Sequence, residues 1–410
     1  MSEWNRSKIE ELCYVGRGRV ISQFDLEDNA DYPVYSSQTS NDGIMGYLST
    51  FDFDGEYVTW TTDGANAGTV FHRYGKFNCT NVCGTLLSKG QVYPLFLSKQ
   101  LGFIAKRYVS YVGNPKLMNN IMAKIEIEYP MDINEQKKIS QVLTTVDTAI
   151  IKTNSIIKKY EVIKEGLLQD LLSNGIDENG VIRSPETHEY KDSPLGKIPV
   201  EWNDTTVKLN FKLRARIGWQ GLKASEFIED GPFVVTGTDF ELGKINWDNC
   251  YHVSYKRYEQ DAGIQLHDGD LVITKDGTIG KTAFITNCPS QTTLNSGVFV
   301  IRPKNNVISS KYFYYILNSR YFEQFMRNYL TGSTIKHLNQ EIFYDMVIVV
   351  PKNIDEQNRI VNKLDSIQNA IYKEIEHLKK YDQIKQGLLQ DLLTHKVSVE
   401  SLLERGAENE

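Results

Sequence analysis

Long apolar runs, histidine and a basic excess are all scarce in this 410-residue chain. No apolar run approaches the ~18 residues that a membrane-spanning helix needs, and the polar N-terminus lacks the hydrophobic region of a signal peptide, so a cytoplasmic protein is expected. The formal net charge of −6 provides no overall basic footprint of the kind that nucleic-acid-binding proteins usually carry. The stretch from Val207 to Lys223 nevertheless holds five basic residues and no acidic one, so local basic faces are expected.

Cysteine and recognisable catalytic motifs are also sparse. Five scattered cysteines form no disulfide framework, and Cys79 and Cys83, with only His72 nearby, lack the second ligand pair typical of a zinc site, so no metal is expected. There is no GxSxG, HExxH or aromatic-flanked Asn/Asp-Pro-Pro motif. GTIGKT, at Gly277–Thr282, has two residues between its glycines instead of four, and we interpret it as a tight turn rather than a phosphate loop. These absences favour a binding protein over an enzyme.

The main positive feature is an internal repeat. Residues 133–176 align without a gap to residues 354–397, at an offset of 221, with about 20 of 44 positions identical. The run GLLQDLL occurs unchanged in both copies, at Gly166–Leu172 and at Gly387–Leu393. A match of this length indicates a duplication and not a coincidence of composition.

Each repeat has the periodicity of a long amphipathic helix. Its seam positions alternate steps of four and three, which is the a/d pattern of a left-handed coiled coil. The seams are Ile139, Leu143, Val146, Ile150, Thr153, Ile157 and Tyr160, and Ile360, Leu364, Ile367, Ile371, Glu374, Leu378 and Tyr381. About 38 residues give a rod of roughly 57 Å, which is not stable alone in water. We predict that the two helices pair; the alternative, two unrelated helices each on its own lobe, does not explain the shared register.

The segments around the helices are duplicated too, but they have diverged. Glu3–Asn5 matches Glu201–Asn203, and Asp63–Gly64 matches Asp276–Gly277. Short β-branched or aromatic runs punctuated by Gly and Asp predict strands at Tyr57–Trp60, Leu271–Thr274 and Gly297–Arg302, and helical stretches are predicted late in each lobe, at Pro94–Arg107 and Ser310–Tyr329. These elements predict the α+β class: two β-rich α/β lobes joined by two long helices. The predicted segments are lobe 1–132, helix 133–174, linker 175–200, lobe 201–353, helix 354–397 and an acidic tail 398–410. Helices that stay alike are expected to share one task, and lobes that differ are expected to have different ones.

Polar and basic side chains in the expected loops of both lobes suit DNA. Arg and Lys can contact guanine or phosphate, and Asn and Gln can pair with adenine. Because surface loops are polar by default, none of these residues identifies a DNA contact on its own. The candidates are Arg17, Arg19, Ser37, Gln38, Asn41, Asn66, Asn114 and Lys116 in the first lobe, and Arg214, Arg216, Gln220, Lys223, Thr238, Lys275, Thr278, Thr334 and Lys336 in the second.

As a whole, the sequence resembles the specificity subunits of Type I restriction–modification systems. The resemblance covers essentially the whole chain and is carried by INEQKKI and IDEQNRI, by GLLQDLL in both halves, and by LGKIPVEW at Leu195–Trp202. It implies an antiparallel coiled coil with target-recognition domains at its ends. It also implies double-stranded DNA, two methyltransferase subunits and two restriction–translocase subunits as partners. AdoMet, ATP and Mg²⁺ would then belong to those partners, with no cofactor in this chain.

The repeated motif is the expected docking surface for the methyltransferases, through the exposed part of Leu167, Leu168, Gln169, Leu171, Leu388, Leu389, Gln390 and Leu392. Two different lobes on a pseudo-two-fold predict an asymmetric bipartite DNA target, with the helices setting its spacer. Three alternatives stay open: a standalone enzyme that acts on DNA without partner subunits, a coiled-coil scaffold that binds no DNA, and a recognition subunit serving a fused methyltransferase–nuclease.

Overall fold

The computed structural model describes residues 3–217, 221–330 and 337–399. The chain divides into two compact units, and the division cuts both long helices. Unit 1 comprises Met1–Ser155 and Glu374–Glu410, and unit 2 comprises Ile156–Lys373. Each unit therefore holds one lobe, half of the first long helix and half of the second. No helix in the described ranges is both long and apolar enough to cross a membrane.

The lobe of unit 1 is built on a mixed sheet. Its six strands have the order β2-β7-β5-β6-β3-β4 among the described residues, and a separate antiparallel pair joins β1 to β8. The strands are β1 Trp4–Lys8, β2 Cys13–Arg17, β3 Tyr32–Tyr35, β4 Ile44–Leu48, β5 Phe53–Thr61, β6 Val70–Cys79, β7 Cys83–Ser88 and β8 Glu126–Pro130. The helices are α1 Ile9–Leu12, α2 Pro94–Ile104, α3 Asn119–Met122 and the long α4 Ile133–Ser173, which continues into unit 2.

The lobe of unit 2 has smaller sheets. A four-stranded sheet has the order β12-β20-β17-β18 and a three-stranded sheet the order β16-β13-β19, within the part of the lobe that is described. The strands are β9 Tyr190–Ser193, β10 Gly196–Pro199, β11 Trp202–Thr206, β12 Phe211–Arg214, β13 Ile228–Val235, β14 Phe240–Glu241, β15 Lys244–Ile245, β16 Tyr251–His252, β17 Leu271–Thr274, β18 Thr282–Phe284, β19 Thr292–Leu294, β20 Val298–Pro303 and β21 Val347–Pro351. The helices are α5 Val207–Asn210, α6 Tyr255–Glu259, α7 Ser310–Ile316, α8 Arg320–Leu330, α9 Gln340–Tyr344 and the long α10 Ile354–Leu393.

Both lobes pass into their long helix in the same way. Trp4 is opposite Pro130 in the β1–β8 pair, and Trp202 is opposite Pro351 in the β11–β21 pair. One turn into each helix lies a fully buried glutamine, whose amide donates to the carbonyl of that proline: Gln136 Nε2 at 2.7 Å and Gln357 Nε2 at 3.1 Å. Each glutamine also accepts a backbone N–H from its lobe, from Tyr93 and from Ser309. The shared glutamine of the repeat thus anchors each long helix to its lobe.

The long helices run antiparallel within each unit. In unit 1, Asp147 of α4 pairs with Lys385 of α10 at 2.7 Å, and the leucines farther along α10 share a core with residues earlier in α4. Burial disfavours the charged carboxylate, but hydrogen bonds from Lys385 and Lys99 together lower the pKa of Asp147. In unit 2, Leu171 near the end of α4 shares a core with Ile360 and Leu364 near the start of α10. The predicted fold class is confirmed, and the seam positions are buried or half-buried.

Two sequence-based expectations need correction. The helical stretch predicted over Ser310–Tyr329 is two helices, because the segment between α7 and α8 turns at Ser319. The predicted linker 175–200 is an ordered part of unit 2: it forms the β9–β10 hairpin and buries Ile176 and Ile198 in the core. Composition indicated a linker because the few apolar residues are widely spaced among Gly, Pro and charge.

A buried ion pair ties this segment to α10. Arg183 binds the Glu356 carboxylate through both terminal nitrogens, at 3.0 Å for Nη2 to Oε2. The same carboxylate accepts hydrogen bonds from Trp202 Nε1 at 3.0 Å and from the Ile176 amide at 3.3 Å. Glu356, in α10, therefore joins this long helix to the segment 175–200 and to strand β11.

We expect Arg183→Met to lower the free energy of unfolding by about 3–5 kcal/mol, because it leaves a buried carboxylate without its counter-charge. Urea denaturation followed by circular dichroism measures this. The control is Arg6→Ala, which removes an exposed ion pair with Glu126 and should cost about 1 kcal/mol or less. Equal effects of the two substitutions would show that Glu356 does not need its partner.

Candidate functional site

The structure connects most of the candidate residues of the first lobe. Arg17 Nη2 lies 3.3 Å from Thr62 Oγ1 and 3.2 Å from Asp63 Oδ2, just beyond the end of β5. The Gly64 amide donates to the Pro115 carbonyl at 3.0 Å, which brings in the segment of Asn114 and Lys116. Asn66 Nδ2 then donates to the Ser37 carbonyl at 3.2 Å. Three chain-distant loops thus form one polar surface.

The loop between β3 and β4 is the most constrained part of this surface. It holds the candidates Ser37, Gln38 and Asn41, and the Ser36 amide closes it on the Gly43 carbonyl at 3.0 Å. Gln38 Nε2 also donates to the Ile44 carbonyl, so its side chain supports the loop. Asn41 remains exposed at the apex. Arg19 lies beside these loops, paired with Asp52 at 2.8 Å and bridged through its backbone to Thr80.

The second lobe has a corresponding surface beyond the end of β17. The turn at Thr236–Asp239 packs against Thr274, since a Cβ on Gly237 would lie 3.2 Å from the Thr274 methyl group. Thr274 Oγ1 donates to the Thr278 carbonyl at 2.5 Å and accepts from the Lys281 amide, which makes GTIGKT a tight turn, as its spacing predicts. The surface contains Thr238, Lys275 and Thr278.

The same backbone arrangement underlies both surfaces. In the first lobe the Leu117 amide donates to the Thr62 carbonyl at 2.8 Å, and in the second the Leu338 amide donates to the Lys275 carbonyl at 2.7 Å. A single antiparallel bridge accompanies each bond: Asp63 with Lys116, and Asp276 with His337. The side chains on it differ, because Asp63 pairs with Arg17 whereas Asp276 Oδ1 lies 2.5 Å from His337 Nδ1. The two lobes present different groups on one shared framework.

Some predicted contacts are not available on these surfaces. Arg216 is only 2% exposed, and its guanidinium donates to the Leu294 carbonyl at 2.8 Å and to Thr293 Oγ1 at 3.2 Å. Burial lowers its pKa, with a smaller contribution from the Arg257 charge. The prediction that Arg216 contacts DNA is wrong in this structure, because the side chain holds β19 in place. Arg214 and Lys223 are exposed, but the hydrogen bonds of the described residues do not join them to the Lys275 surface. Gln220, Thr334 and Lys336 lie outside the described residues.

The predicted docking leucines are also largely internal. Leu168, Leu171 and Leu392 are buried, and the rest of the leucines of this set are half-buried against a lobe core: Leu167, Leu388 and Leu389. Gln169 and Gln390 remain exposed. The leucines of Gly166–Leu172 thus complete the core of the second lobe, and those of Gly387–Leu393 complete the core of the first lobe. The sequence shows that each motif has an apolar face. It does not show whether the residues that pack against this face belong to the same chain or to a partner.

Several identical pairs of the repeat are exposed in both copies, and three of these pairs lie on one helix face. We call it the repeat stripe: Lys159, Ile163 and Gly166 in unit 2, and Lys380, Ile384 and Gly387 in unit 1. Spacings of four and three put each trio on one helix face. The two isoleucines are almost equally exposed, at 49% and 48%. A Cβ added to either glycine would meet no atom of the described residues within 4 Å, so packing among these residues does not require glycine at the mid-helix positions.

Comparison with known proteins gives a family match over both halves. A family profile described as "Type I restriction modification DNA specificity domain" matches residues 1–162 and 220–386. A putative type I specificity subunit N-terminus from Mycoplasma pneumoniae is 46% identical over 141 residues, which are 34% of this chain and 75% of that protein. The chain spans between 42% and 58% of five further M. pneumoniae specificity subunits. The specificity subunit of the type I restriction enzyme MjaVIII from Methanocaldococcus jannaschii is 24% identical over 98% of this chain and 94% of its own length.

Solved structures show the same fold. The S subunit of a Type I restriction–modification system from M. genitalium matches with a TM-score of 0.67, at 14% identity, over 96% of each chain. A chain from a study of complex assembly in the type I system matches with a TM-score of 0.52, at 13% identity, over 95% of this chain and 97% of that one. At these identities the likeness concerns the fold alone.

Proposed function

Because this chain belongs to the family of Type I restriction–modification specificity subunits, we propose that each of its lobes reads one half of an asymmetric, bipartite DNA target. The observation that carries this is the shared framework of the two candidate surfaces with different side chains on it. A common backbone presents groups in the same way, while different side chains select different bases. Two unlike half-sites follow, and not a palindrome.

The proposal assigns base recognition to this chain and the chemistry to its partners. Methyl transfer with AdoMet would belong to two methyltransferase subunits, and cleavage with ATP and Mg²⁺ to two restriction–translocase subunits. This division of tasks distinguishes the proposal from the alternative of a standalone enzyme, which would carry out its chemistry on DNA without partner subunits. A pure coiled-coil scaffold would not need two elaborated polar surfaces. The candidate DNA contacts are Arg17, Arg19, Asn41, Asn66, Asn114, Lys116, Arg214, Lys223, Thr238, Lys275 and Thr278, with Ser37 and Gln38 supporting the first reading loop.

Substitutions at Arg214 and Arg216 test whether the second lobe reads DNA. Arg214→Ala should leave the free energy of unfolding within about 0.5 kcal/mol, because the side chain is exposed. It should either relax one half-site by about 1–3 kcal/mol, through a lost base contact, or reduce the salt slope of DNA binding by about 1, through a lost phosphate contact.

Arg216→Ala is the matched control and should instead cost about 2–3 kcal/mol of stability, because buried acceptors lose their donors. The measurements are urea denaturation and salt-dependent binding of the complex assembled with its methyltransferase to a selected DNA pool. An Arg214→Ala complex with unchanged affinity, salt slope and half-sites would remove Arg214 from the interface. A change confined to the half-site of the first lobe would contradict separate reading.

The repeat stripe is the proposed docking surface for the two methyltransferases. A glycine in the middle of a helix costs about 0.5–1 kcal/mol relative to alanine, and Gly166 and Gly387 lie under open space. Close approach of a second chain explains a glycine that internal packing does not. An exposed isoleucine and lysine beside it, repeated in both units, fit two copies of one partner.

Alanine at Gly166 or at Gly387 should therefore raise the free energy of unfolding by about 0.5–1 kcal/mol and yet weaken one of two docking events. Native mass spectrometry should give a 2:1 complex for the wild type and mainly 1:1 for each single variant. Gly102→Ala, at an exposed glycine of α2 with equally open surroundings, should stabilise the chain without affecting assembly. Full 2:1 assembly of both single variants at the lowest methyltransferase concentration that saturates the wild type would contradict docking at the stripe.

The long helices are the proposed ruler for the spacer between half-sites. Helices of 41 and 40 residues are each about 60 Å long, and no part of the repeat resembles a base-reading loop.

Seven residues added to each helix, after Ser155 and after Lys373, preserve the seven-residue seam and add about 10 Å. Because base pairs are about 3.4 Å apart, the preferred spacer should grow by up to about three pairs, with both half-sites unchanged. Mapping of methylated sites measures this, and an active variant with the original spacer would exclude the helices as the ruler.

A further inference from the structure

We propose that Arg73 is a positioning residue for DNA recognition by the first lobe, because it holds the loop from Ser37 to Asp42 in a single, strained conformation. The proposal rests on the proposed function of this lobe as a reader of DNA. Arg73 lies in β6 and its side chain is buried, so its effect on DNA would be indirect.

The loop adopts a backbone conformation that L-residues disfavour. Asn41, Asp42 and Gly43 follow one another with φ angles of 48°, 52° and 80°. Glycine reaches this left-handed region without a steric penalty, and Asn and Asp enter it more readily than other L-residues but still at a cost. Two such residues in a row are stabilised by an external hold. Such outliers persist where the surroundings fix them, and they are concentrated at ligand-binding sites.

Arg73 supplies that hold. Its Nη1 donates to Asp42 Oδ2 at 2.5 Å, and its Nη2 donates to the Asp42 carbonyl at 2.8 Å. The guanidinium carbon lies 3.6 Å from the centre of the Tyr35 ring and 4.4 Å from that of Phe71. The side chain is 3% exposed, whereas that of Asp42 is 68% exposed. A cation held against two aromatic rings thus binds both the backbone and the side chain of a surface residue.

This arrangement has two consequences for DNA recognition. The ion pair offsets a carboxylate that would otherwise repel phosphate at the apex of the loop. The fixed backbone also presents Thr39, Ser40 and Asn41 without an ordering cost on binding, which is the condition for discriminating hydrogen bonds to base edges. Asn41 has the chemistry for a bidentate bond to adenine.

The experiment compares Arg73→Met, Asp42→Asn and Asn41→Ala in the complex assembled with its methyltransferase, using selection from a random DNA pool. Asn41→Ala should relax the half-site of the first lobe roughly 5- to 150-fold, as the loss of one bidentate base contact does. Arg73→Met and Asp42→Asn should relax the same positions and leave the half-site of the second lobe unchanged. Asp42→Asn changes an exposed side chain, so it keeps the test valid if Arg73→Met fails to fold.

A rescue separates positioning from mere stability. Glycine takes the left-handed conformation without strain, so Asp42→Gly added to Arg73→Met should restore part of the preference lost at the positions that Asn41 reads. Arg302→Met is the matched control, since it removes a paired arginine from the second lobe, where Arg302 binds Asp270 at 2.6 Å. It should leave the half-site of the first lobe intact.

The outcomes distinguish the two levels of the argument. If Asn41→Ala alters the half-site but Arg73→Met and Asp42→Asn do not, the positioning role is overturned and the reading role of the lobe stands. If lost preference in Arg73→Met is not rescued by glycine, Arg73 acts only through stability, and the proposal also fails. If none of the variants, nor replacement of the whole loop, changes either half-site, the first lobe does not read DNA through this surface and the proposed function fails here.

Discussion

The amphipathic character of the two long helices is the constraint on which the rest of the structure depends. A helix of about 40 residues with a single apolar seam has to cover that seam along its whole length. Within each unit the other helix covers part of it, and a lobe core covers the end. Leu392 and Leu393, from the second repeat, lie in the core of the first lobe, and Leu171 and Leu172, from the first repeat, lie in the core of the second. Each core is therefore completed by residues from the other half of the sequence, and the halves are not independent tandem domains.

This exchange explains why the repeats have stayed alike at two kinds of position. Gln136 and Gln357 make equivalent bonds to their own lobe, and the GLLQDLL leucines fill equivalent places in the opposite core. Internal packing is a sufficient reason for those identities. It gives no reason for Gly166 and Gly387, which are in the same motif but under open space. Separating identities by burial thus isolates the few that packing of the described residues does not explain.

The sequence predicted the elements better than their roles. The strand predicted at Leu271–Thr274 is β17, and the helices begin at Ile133 and Ile354 as the repeat indicates, because apolar periodicity reports directly on local structure. The partner of an apolar face is a tertiary property, so the GLLQDLL leucines were assigned to docking although they are internal. Which residues of a basic run are exposed also depends on the tertiary structure. The sequence therefore could not show that Arg214 is exposed and Arg216 buried. Arg73 was not among the sequence-based candidates, and the one signal that could have led to it is the Asn-Asp-Gly run at 41–43, which is typical of a turn with positive φ.

The candidate surfaces also account for the acidic composition of a chain assigned to DNA recognition. Carboxylates on or beside them are paired: Asp42 with Arg73, Asp52 with Arg19, and Asp63 with Arg17. In the second lobe, Asp276 lies near Lys275 Nζ and His337. Paired carboxylates fix the loops that carry Asn41 and Thr278 while contributing little net field. A net charge of −6 therefore describes the whole chain and not these surfaces, since the attraction of DNA depends on local charge. Of the paired arginines, the buried Arg73 is then a positioning group, whereas the more exposed Arg17 and Arg19 stay candidate DNA contacts of the proposed function.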